Sequence, residues 1–320
     1  MGEIYSEIIG TGSYLPKKVL TNDDLSKLVD TSDEWIFTRT GIKNRHIASD
    51  DECTSDLAVN AIKNAMTDAK INEDDVDLLI VATITPDLVF PSTSCIIQKK
   101  LGLKKAVALD ISAACSGFVY GLTIADSMIK SGAYKTAIVV GAETLSRIVD
   151  WNDRTTCVLF GDGAGAAVLR ATSEKTGILS YSIKSDGDYF DILKATGGPS
   201  ATKTSGNIYM EGKEVFKLAV ARMPEISKEV VEKAGKTMAD VDCFIPHQAN
   251  IRIIDAALKN LDVLEEKVVK TIETHGNISS ACIPLALDIA RKNGQLKKGQ
   301  NVLLTAMGAG FTWGSVFFKF

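Results

Sequence analysis

Residues 111–115 read ISAAC and residues 278–282 read ISSAC, so two nearly identical pentapeptides lie 167 residues apart. Each match is short and means little alone. Two further pairs follow at nearly the same offset: VDLLIVA from Val76 with VDCFIPH from Val241, and Gly132 with Gly299. A period of this length is far too long for a solenoid. The sequence therefore predicts two copies of one folding unit, packed so that equivalent loops surround a shared cleft.

Strand and helix patterns alternate along the chain. Apolar runs typical of buried strands occur at residues 77–85, 136–143, 163–171, 242–248 and 301–309. Helical periodicity occurs between them, at residues 55–71, 213–235 and 283–296. This alternation is typical of α/β proteins, in which helices cover mainly parallel sheets. The polar run 172–177 is the best candidate boundary, so we expect an N-terminal half of residues 1–171 and a C-terminal half of residues 172–320.

Composition and charge limit the function classes. The chain has 45% hydrophobic and 24% charged residues, which is average for a globular protein, and a net charge of −4 gives no sign of nucleic-acid or membrane binding. No apolar stretch reaches the ~18–20 residues of a membrane span, and residues 1–16 lack a secretory-signal pattern. The six cysteines form no CxxC pair and do not cluster with the three histidines. We expect free thiols in a reducing cytoplasm and no metal site.

Cys115 lies where the apolar run 107–111 gives way to a helical pattern that begins near Gly117. A cysteine at a helix N-terminus lies beside unpaired backbone N–H groups and the positive end of the helix dipole. Such a position lowers the pKa of a thiol and favours a nucleophile. The alternative is a small core residue that fills a tight corner, since free cysteines are mostly buried.

The second copy offers groups that could work with such a thiol. His247 follows an apolar strand, and Asn277 lies in the stretch HGNISSA after His275. Each has a structural alternative: His247 could be a core histidine, and Asn277 could form a turn. His46 lies in a polar loop and is most simply structural. Ends of parallel strands are where α/β proteins usually hold their chemistry, so the two copies are expected to contribute to one site.

Cysteine, histidine and asparagine together fit two mechanisms. In a cysteine hydrolase, His247 takes the thiol proton, Asn277 orients the imidazole, and water attacks the acyl-thioester. In a condensing enzyme, a carbanion replaces water, and His247 Nε2 and the Asn277 amide donate hydrogen bonds to the enolate oxygen, each stabilising it by ~3 kcal/mol. The spacing of these residues does not choose between the two mechanisms.

Longer motifs carry a resemblance. DISAACSGF, FGDGAGAAVL, IPHQANIRI, HGNISSACIP and GAGFTWGS together resemble the β-ketoacyl-acyl-carrier-protein synthase III family, the initiating condensing enzymes of type II fatty acid synthesis. The similarity runs over essentially the whole chain. It implies the thiolase fold, with internally duplicated α/β halves and two mixed five-stranded sheets in a layered αβαβα arrangement.

The resemblance also implies a reaction and its residues. Cys115, His247 and Asn277 match the family's catalytic triad. Cys115 would accept an acyl group from a short acyl-CoA, and malonyl-acyl-carrier-protein would lose carbon dioxide and attack it. The Cys115 N–H and one N–H of the loop Gly308, Ala309 and Gly310 would form the oxyanion hole. No metal or cofactor is implied, because decarboxylation itself generates the carbanion. A related enzyme that uses CoA as the acceptor is the nearest alternative within the fold.

The remaining residues come from the same resemblance. Thr31, Trp35, Arg39 and Arg154 match the site for the CoA adenine, and Gly212, Phe216, Ala249 and Asn250 match the pantetheine tunnel. Arg252 matches the contact with the acidic carrier protein. The family forms twofold dimers, with Phe90 reaching toward the partner subunit's acyl pocket. Phe90, Cys157 and Val158 match the end of that pocket, and the large Phe90 predicts a preference for acetyl-CoA over longer straight chains.

Overall fold

A computed structural model of the chain describes residues 3–320. Met1 and Gly2, which begin the stretch that lacks a secretory-signal pattern, lie outside the described residues. The strands are β1 (Tyr5–Tyr14), β2 (Lys18–Thr21), β3 (Asn44–Ile47), β4 (Leu78–Ala82), β5 (Val107–Ile111), β6 (Thr136–Thr144), β7 (Asp162–Thr172), β8 (Gly177–Ser185), β9 (Leu193–Ala195), β10 (Ile208–Met210), β11 (Cys243–Pro246), β12 (Asn301–Gly308) and β13 (Thr312–Lys319).

The helices lie between these strands. They are α1 (Asn22–Leu25), α2 (Asp33–Thr40), α3 (Thr54–Ala69), α4 (Thr93–Leu101), α5 (Gly117–Lys130), α6 (Gly212–Lys233), α7 (Ile251–Leu258), α8 (Ile272–His275) and α9 (Cys282–Lys292). The α/β alternation predicted from the apolar patterns is confirmed, and β1 and β8, for which no full strand was predicted, complete the sheets.

Two mixed sheets repeat one topology. The first has the order β1-β7-β6-β4-β5, in which β4 is parallel to β5 and β6, while β7 is antiparallel to β6 and β1. The second has the order β8-β13-β12-β11, with β11 parallel to β12 and the other pairs antiparallel. The position equivalent to β5 holds only a single parallel bridge, between Phe244 and Val268. The second sheet therefore has four strands where five were expected.

Alternating side chains divide each sheet between two cores. Leu78 and Ile80 of β4 face α5 and α9, which lie between the sheets in one core shared by both. Leu79 and Val81 face the opposite way and pack with α3. The outer face of the second sheet packs against α6 and α7 in the same manner. These layers form the predicted αβαβα arrangement, since alternate strand residues point to opposite faces.

The strand registers correct the alignment of the two copies. Leu78 pairs with Ala137 in the first sheet and Cys243 pairs with Val302 in the second, an offset of 165 residues. At this offset Cys115 corresponds to Ser280, and Ala114 corresponds to Ser279, which shares its φ of 45°. The equivalence of ISAAC with ISSAC was therefore wrong by two residues. Cys282 does not occupy the position of Cys115, because it begins α9 as Gly117 begins α5.

No helix within residues 3–320 is long and apolar enough to cross a membrane.

Candidate active site

Cys115 lies in a short 3-10 turn, Ala114–Ser116, between β5 and α5. Its side chain is buried at the base of a cavity. Within residues 3–320 no group accepts a hydrogen bond from the Cys115 N–H. This donor therefore points to a place where a substrate oxygen can bind.

Burial governs the ionisation of the thiol. It raises the pKa of Cys115 to about 12, and Glu143 adds to the rise, while the nearby Ser279 side chain acts in the opposite direction. The expectation that a helix N-terminus would lower this pKa was wrong. The apolar site removes the water that would stabilise a thiolate, and this loss exceeds the favourable effect of nearby N–H groups.

The loop after β12 packs directly on the Cys115 turn. A Cβ at Gly308 would lie 2.6 Å from the Cys115 N, so only glycine allows this approach. Thr312 Oγ1 donates to Ala113 O (3.0 Å), and Ser116 Oγ donates to Thr312 O (3.0 Å). Gly308, Ala309 and Gly310 all line the cavity. The C-terminal half thus brings the predicted oxyanion loop beside the N–H of the nucleophile.

His247 follows β11 and is held by a hydrogen bond from its N–H to Thr305 O (2.8 Å). Burial lowers the pKa of His247 to about 3, so the imidazole is neutral and carries one ring N–H. Within residues 3–320 its Nδ1 is buried with no hydrogen-bond partner. Nε2 is the ring nitrogen left to face the cavity that His247 lines. A neutral imidazole in this position can donate a hydrogen bond to a substrate oxygen.

The Asn277 amide is oriented by its neighbours. Its Oδ1 accepts hydrogen bonds from Ser279 N (2.8 Å) and Cys282 Sγ (3.6 Å). Its backbone pairs with Leu159 and Gly161 of the N-terminal half. With Oδ1 engaged, the Nδ2 group is left to donate into the cavity.

One cavity of about 550 Å³ unites most of the predicted site. Its walls are mainly apolar, as expected of a site that excludes water from a reactive thioester. The predicted residues among its lining are Cys115, Gly212, Phe216, His247, Ala249, Asn250, Asn277, Gly308, Ala309 and Gly310. The two halves therefore contribute to one chamber.

The predicted adenine site lies outside this cavity. Two guanidinium groups lie over the Trp35 ring, with Arg39 Cζ 4.5 Å and Arg154 Cζ 5.4 Å from its centroid. Arg154 also pairs with Asp30, and Thr31 Oγ1 is buried without a partner within residues 3–320. Trp35 packs in the same apolar cluster as several residues of the cavity wall. The four predicted residues thus lie beside the chamber as a separate surface feature.

The residues predicted to close the acyl pocket do not line the cavity of this chain. Phe90 is 83% exposed, and Cys157 and Val158 are buried in the core behind the wall. Leu159 and Phe160 form that wall. Leu159 and Phe160 lie two residues after the predicted Cys157 and Val158, and the role of the three predicted residues in an acyl pocket stays a prediction.

Arg252 is exposed in the first turn of α7, beside the cavity residues Asn250 and Ile253. Within residues 3–320 no carboxylate lies within ion-pair distance of its guanidinium. Arg252 therefore carries an unpaired positive charge next to two residues of the cavity lining.

The other two histidines are engaged in structural hydrogen bonds. Both ring nitrogens of His275 have partners, Gly276 O and Thr271 Oγ1, each at 2.8 Å. His46 lies in β3 and not in a polar loop as predicted, and its Nδ1 contacts Pro16 O at 2.6 Å. Neither histidine lines the cavity.

Two polar residues near Cys115 were missed by the sequence reasoning. Ser279 lines the cavity with a buried hydroxyl, and Glu143 is a fully buried carboxyl group that accepts from Thr85 Oγ1 (2.7 Å) and Ser280 Oγ (2.8 Å). Burial raises the pKa of Glu143. The repeat ISSAC contained the signal for Ser279, but the wrong register hid its position opposite Ala114.

Comparison with known proteins identifies the family. Sequence models described as 3-oxoacyl-[acyl-carrier-protein (ACP)] synthase III and its C-terminal part match residues 109–187 and 231–320. The chain is 54% identical over 319 residues to the β-ketoacyl-[acyl-carrier-protein] synthase III of Neisseria gonorrhoeae, which covers 99% of each chain. The chain belongs to the β-ketoacyl-acyl-carrier-protein synthase III family. It is an acyltransferase of the condensing type, and its condensation initiates fatty acid synthesis.

Solved structures agree with this assignment. The 3-oxoacyl-[acyl-carrier-protein] synthase III of Aquifex aeolicus matches with a TM-score of 0.94 at 51% identity, covering 98% of this chain and 100% of that one. The priming β-ketosynthase of the R1128 polyketide pathway matches with a TM-score of 0.95 at 35% identity, covering 99% and 97%. The predicted thiolase fold of this synthase III family member is thereby confirmed.

Proposed function

We propose that this synthase condenses a short acyl-CoA, preferably acetyl-CoA, with malonyl-acyl-carrier-protein through an acyl-Cys115 intermediate. The observation that carries this proposal is the cavity where Cys115, an unpaired N–H group, a neutral imidazole and a fixed amide meet. It holds a nucleophile and two sets of donors, which is what two successive reactions at carbonyl groups require.

Acylation uses the groups around the Cys115 turn. Cys115 Sγ forms a bond to the acyl carbon, the bond from that carbon to the CoA sulfur breaks, and the thiol proton ends on the CoA sulfur. The Cys115 N–H and an N–H of the loop Gly308–Gly310 stabilise the tetrahedral oxyanion. Their proximity follows from the close packing of Gly308 on the Cys115 backbone.

Condensation uses the groups from the C-terminal half. His247 Nε2 and Asn277 Nδ2 donate to the malonyl thioester oxygen as carbon dioxide departs and the enolate forms. The resulting carbanion attacks acyl-Cys115, and the bond to Sγ breaks to give 3-ketoacyl-carrier protein. Because burial holds the pKa of His247 near 3, the imidazole donates without first gaining a proton. Decarboxylation supplies the carbanion, so we infer a reaction without metal or cofactor.

Substrate binding extends from the adenine site to the chamber. We propose that Trp35, with Arg39 and Arg154 near its ring, stacks on the CoA adenine beside Thr31, since flat rings and guanidinium groups bind aromatic bases. The pantetheine arm then passes Gly212, Phe216, Ala249 and Asn250. The unpaired Arg252 at the cavity mouth binds the acidic carrier protein.

We also propose a homodimer with the first sheet continuous across the two subunits. Within residues 3–320, β5 is an edge strand with a neighbour on one side only. Val107 on this strand is exposed, as are Leu88, Val89 and Phe90. An exposed apolar edge strand favours pairing with another chain. Such pairing would direct Phe90 toward the partner's acyl pocket, where its bulk would favour acetyl-CoA. A stable and active monomer in sedimentation would contradict this.

We further infer that the two predicted halves divide the chemistry. Residues 1–171 hold the nucleophile, and residues 172–320 hold the donors for carbanion formation. The six cysteines are free, which fits a cytoplasmic enzyme.

Product analysis tests the proposed reaction. Purified protein is incubated with labelled acetyl-CoA in the presence and absence of malonyl-acyl-carrier-protein, and acetate, CoA and 3-ketoacyl-carrier protein are measured. We expect ketoacyl-carrier protein, carbon dioxide and CoA in equal amounts only when both substrates are present. Release of acetate at the same rate without malonyl-acyl-carrier-protein would instead identify a hydrolase. Comparing acetyl-, butyryl-, isobutyryl- and octanoyl-CoA in the same assay tests the starter preference.

A further inference from the structure

Two equivalent turns meet beneath the cavity. The turn Ala114–Ser116 precedes α5, and the turn Ser279–Ala281 precedes α9. They pack against each other across the two halves. Ala114 and Ser279 occupy equivalent places and both adopt a φ of 45°, in the left-handed region that non-glycine residues rarely enter. Each half thus holds one strained residue at the same point of the site.

The Ser279 hydroxyl has no role in the free structure. Its Oγ is buried and makes no hydrogen bond within residues 3–320. Its backbone N–H is already used, since it donates to Asn277 Oδ1. A buried hydroxyl without a partner is destabilising, and such groups in native structures call for an explanation. Because Ser279 lines the cavity with Cys115, the explanation is a partner that forms during the reaction.

We propose that Ser279 is a catalytic residue of acylation, whose Oγ–H donates a hydrogen bond to Cys115 Sγ as the thiol loses its proton. Ser279 keeps its proton throughout, and the proton of Cys115 ends on the departing CoA sulfur. When the carbanion later releases Sγ from the acyl carbon, the same hydrogen bond stabilises the returning thiolate. The proposal rests on Cys115 being the nucleophile of the proposed function.

The electrostatic surroundings support this role. Burial raises the pKa of Cys115 to about 12, and Ser279 is the side chain whose proximity acts to lower it. Glu143 cannot help, because a carboxylate disfavours a nearby thiolate. The neutral His247 carries no positive charge that would stabilise a thiolate.

Alkylation of Cys115 by iodoacetamide tests the proposal without any acyl substrate. The rate is measured from pH 7 to 9 in the full-length protein and in Ser279→Ala and Ser279→Gly, with Cys115→Ser as the blank. Since hydrogen bonds to charged groups are among the strong ones, we expect both variants to react about 10-fold more slowly at each pH. Ser279→Gly also relieves the left-handed strain, so equal slowing in both variants assigns the effect to the hydroxyl. Acyl loading should slow by the same factor.

Two controls separate catalysis from structure. Ser180→Ala removes another buried hydroxyl, one that donates to Val230 O (2.6 Å) and does not line the cavity. This variant should leave the alkylation of Cys115 unchanged. Decarboxylation of malonyl-acyl-carrier-protein should also be unchanged in the Ser279 variants, because it depends on His247 and Asn277. Unchanged alkylation in both Ser279 variants would overturn the proposal. A parallel loss of decarboxylation would overturn it too. The Ser279 substitution would then act by displacing Asn277, whose Oδ1 accepts from the Ser279 N–H. Labelling is read on the peptide that contains Cys115, since the exposed Cys95 also reacts in every variant. If alkylation of Cys115 left acyl loading unchanged, the proposed function itself would fail.

Discussion

The two halves share one topology but differ at the turn where each meets the other. In the N-terminal half the turn carries Cys115, and in the C-terminal half the equivalent position holds Ser280, whose Oγ lies within hydrogen-bond distance of Glu143 Oε1 (2.8 Å) and Ala82 O (2.9 Å). The first turn faces the cavity with a thiol and an unpaired N–H, whereas the Ser280 hydroxyl at the equivalent position of the second turn is engaged. Duplication supplied two equivalent positions, and in the proposed mechanism only the first acts as a nucleophile.

The ends of the equivalent strands β4 and β11 differ in the same way. After β4 the chain enters a turn whose N–H and hydroxyl groups, from Thr83 to Thr85, bind Glu143. After β11 it presents His247 to the cavity. The N-terminal copy uses this region to fix a buried carboxyl group, and in the proposed mechanism the C-terminal copy uses it for catalysis. The candidate active site therefore combines different residue types that lie at equivalent positions of the two halves.

The largest effect is expected from replacing the nucleophile. Cys115→Ser should lower acyl loading at least about 1000-fold, because a serine hydroxyl in this buried site has no base to ionise it. Decarboxylation of malonyl-acyl-carrier-protein should persist, since its donors lie in the other half. Intact mass measurements and carbon dioxide release check the two activities. Cys53→Ser, outside the cavity, is the matched control and should load acyl groups normally. A Cys115→Ser protein that still loads acyl groups would show that Cys115 is not the nucleophile.

A smaller effect is expected where the halves touch. A Cβ at Gly141 would lie 2.3 Å from Ser280 O, so Gly141→Ala must displace the C-terminal turn. We expect a loss of about 2–3 kcal/mol in the free energy of unfolding. Gly198→Ala, where no atom lies within 4 Å of the new Cβ, is the control. Denaturant unfolding of both variants measures the difference, and equal stability would show that the turns can separate freely.

The two half-reactions should also differ in pH dependence. Burial raises the pKa of Cys115 to about 12, so between pH 6 and 9 each added pH unit should increase the thiolate fraction and acyl loading about tenfold. Burial lowers the pKa of His247 to about 3, so the imidazole stays neutral over this range and decarboxylation should not vary with its ionisation. Single-turnover rates check both. A change in decarboxylation near pH 6.5, the ordinary histidine pKa, would contradict the assigned state of His247.

The smallest effect is expected at the adenine site. Trp35→Ala should raise KM for acetyl-CoA about 10-fold through lost stacking and cation–π contacts, and leave kinetics with malonyl-acyl-carrier-protein unchanged. Phe37→Ala changes an exposed aromatic residue on the same helix and should have little effect. Steady-state kinetics with each substrate varied separately provides the measurement. Equal effects on both substrates would show that Trp35 serves the shared chamber.

Much of the fold was predictable because it depends on local patterns. Apolar runs located β6, β7 and β12 to within one residue at either end, and the repeat indicated duplication. The register of the repeat was not predictable, since ISAAC and ISSAC match better when slipped by two residues than in their true alignment. Strand pairing, rather than similarity of letters, determines which residues occupy equivalent positions.

The residue types of the site could be predicted from the sequence, but the burial and pKa values of those residues could not. Motifs placed Cys115, His247 and Asn277, and the cavity unites them. The pKa of Cys115 depends on how completely distant segments bury it, and no local pattern contains that information. The same holds for Ser279, whose importance follows from packing of two turns about 165 residues apart. The resemblance placed Phe90 in an acyl pocket, but Phe90 is exposed in the single chain. Its predicted role depends on a second subunit, whose position the sequence of one chain does not give.

The division of labour between the halves is tested most directly by intact-protein mass spectrometry of Asn277→Ala. The variant is treated with acetyl-CoA, sampled, and then given malonyl-acyl-carrier-protein. We predict a mass increase of one acetyl group as fast as in wild type, because acylation depends on the Cys115 turn. That adduct should then persist, with its discharge slowed about 100-fold by loss of one enolate donor. An Asn277→Ala protein that fails to load, or that loads and discharges at the wild-type rate, would contradict the account.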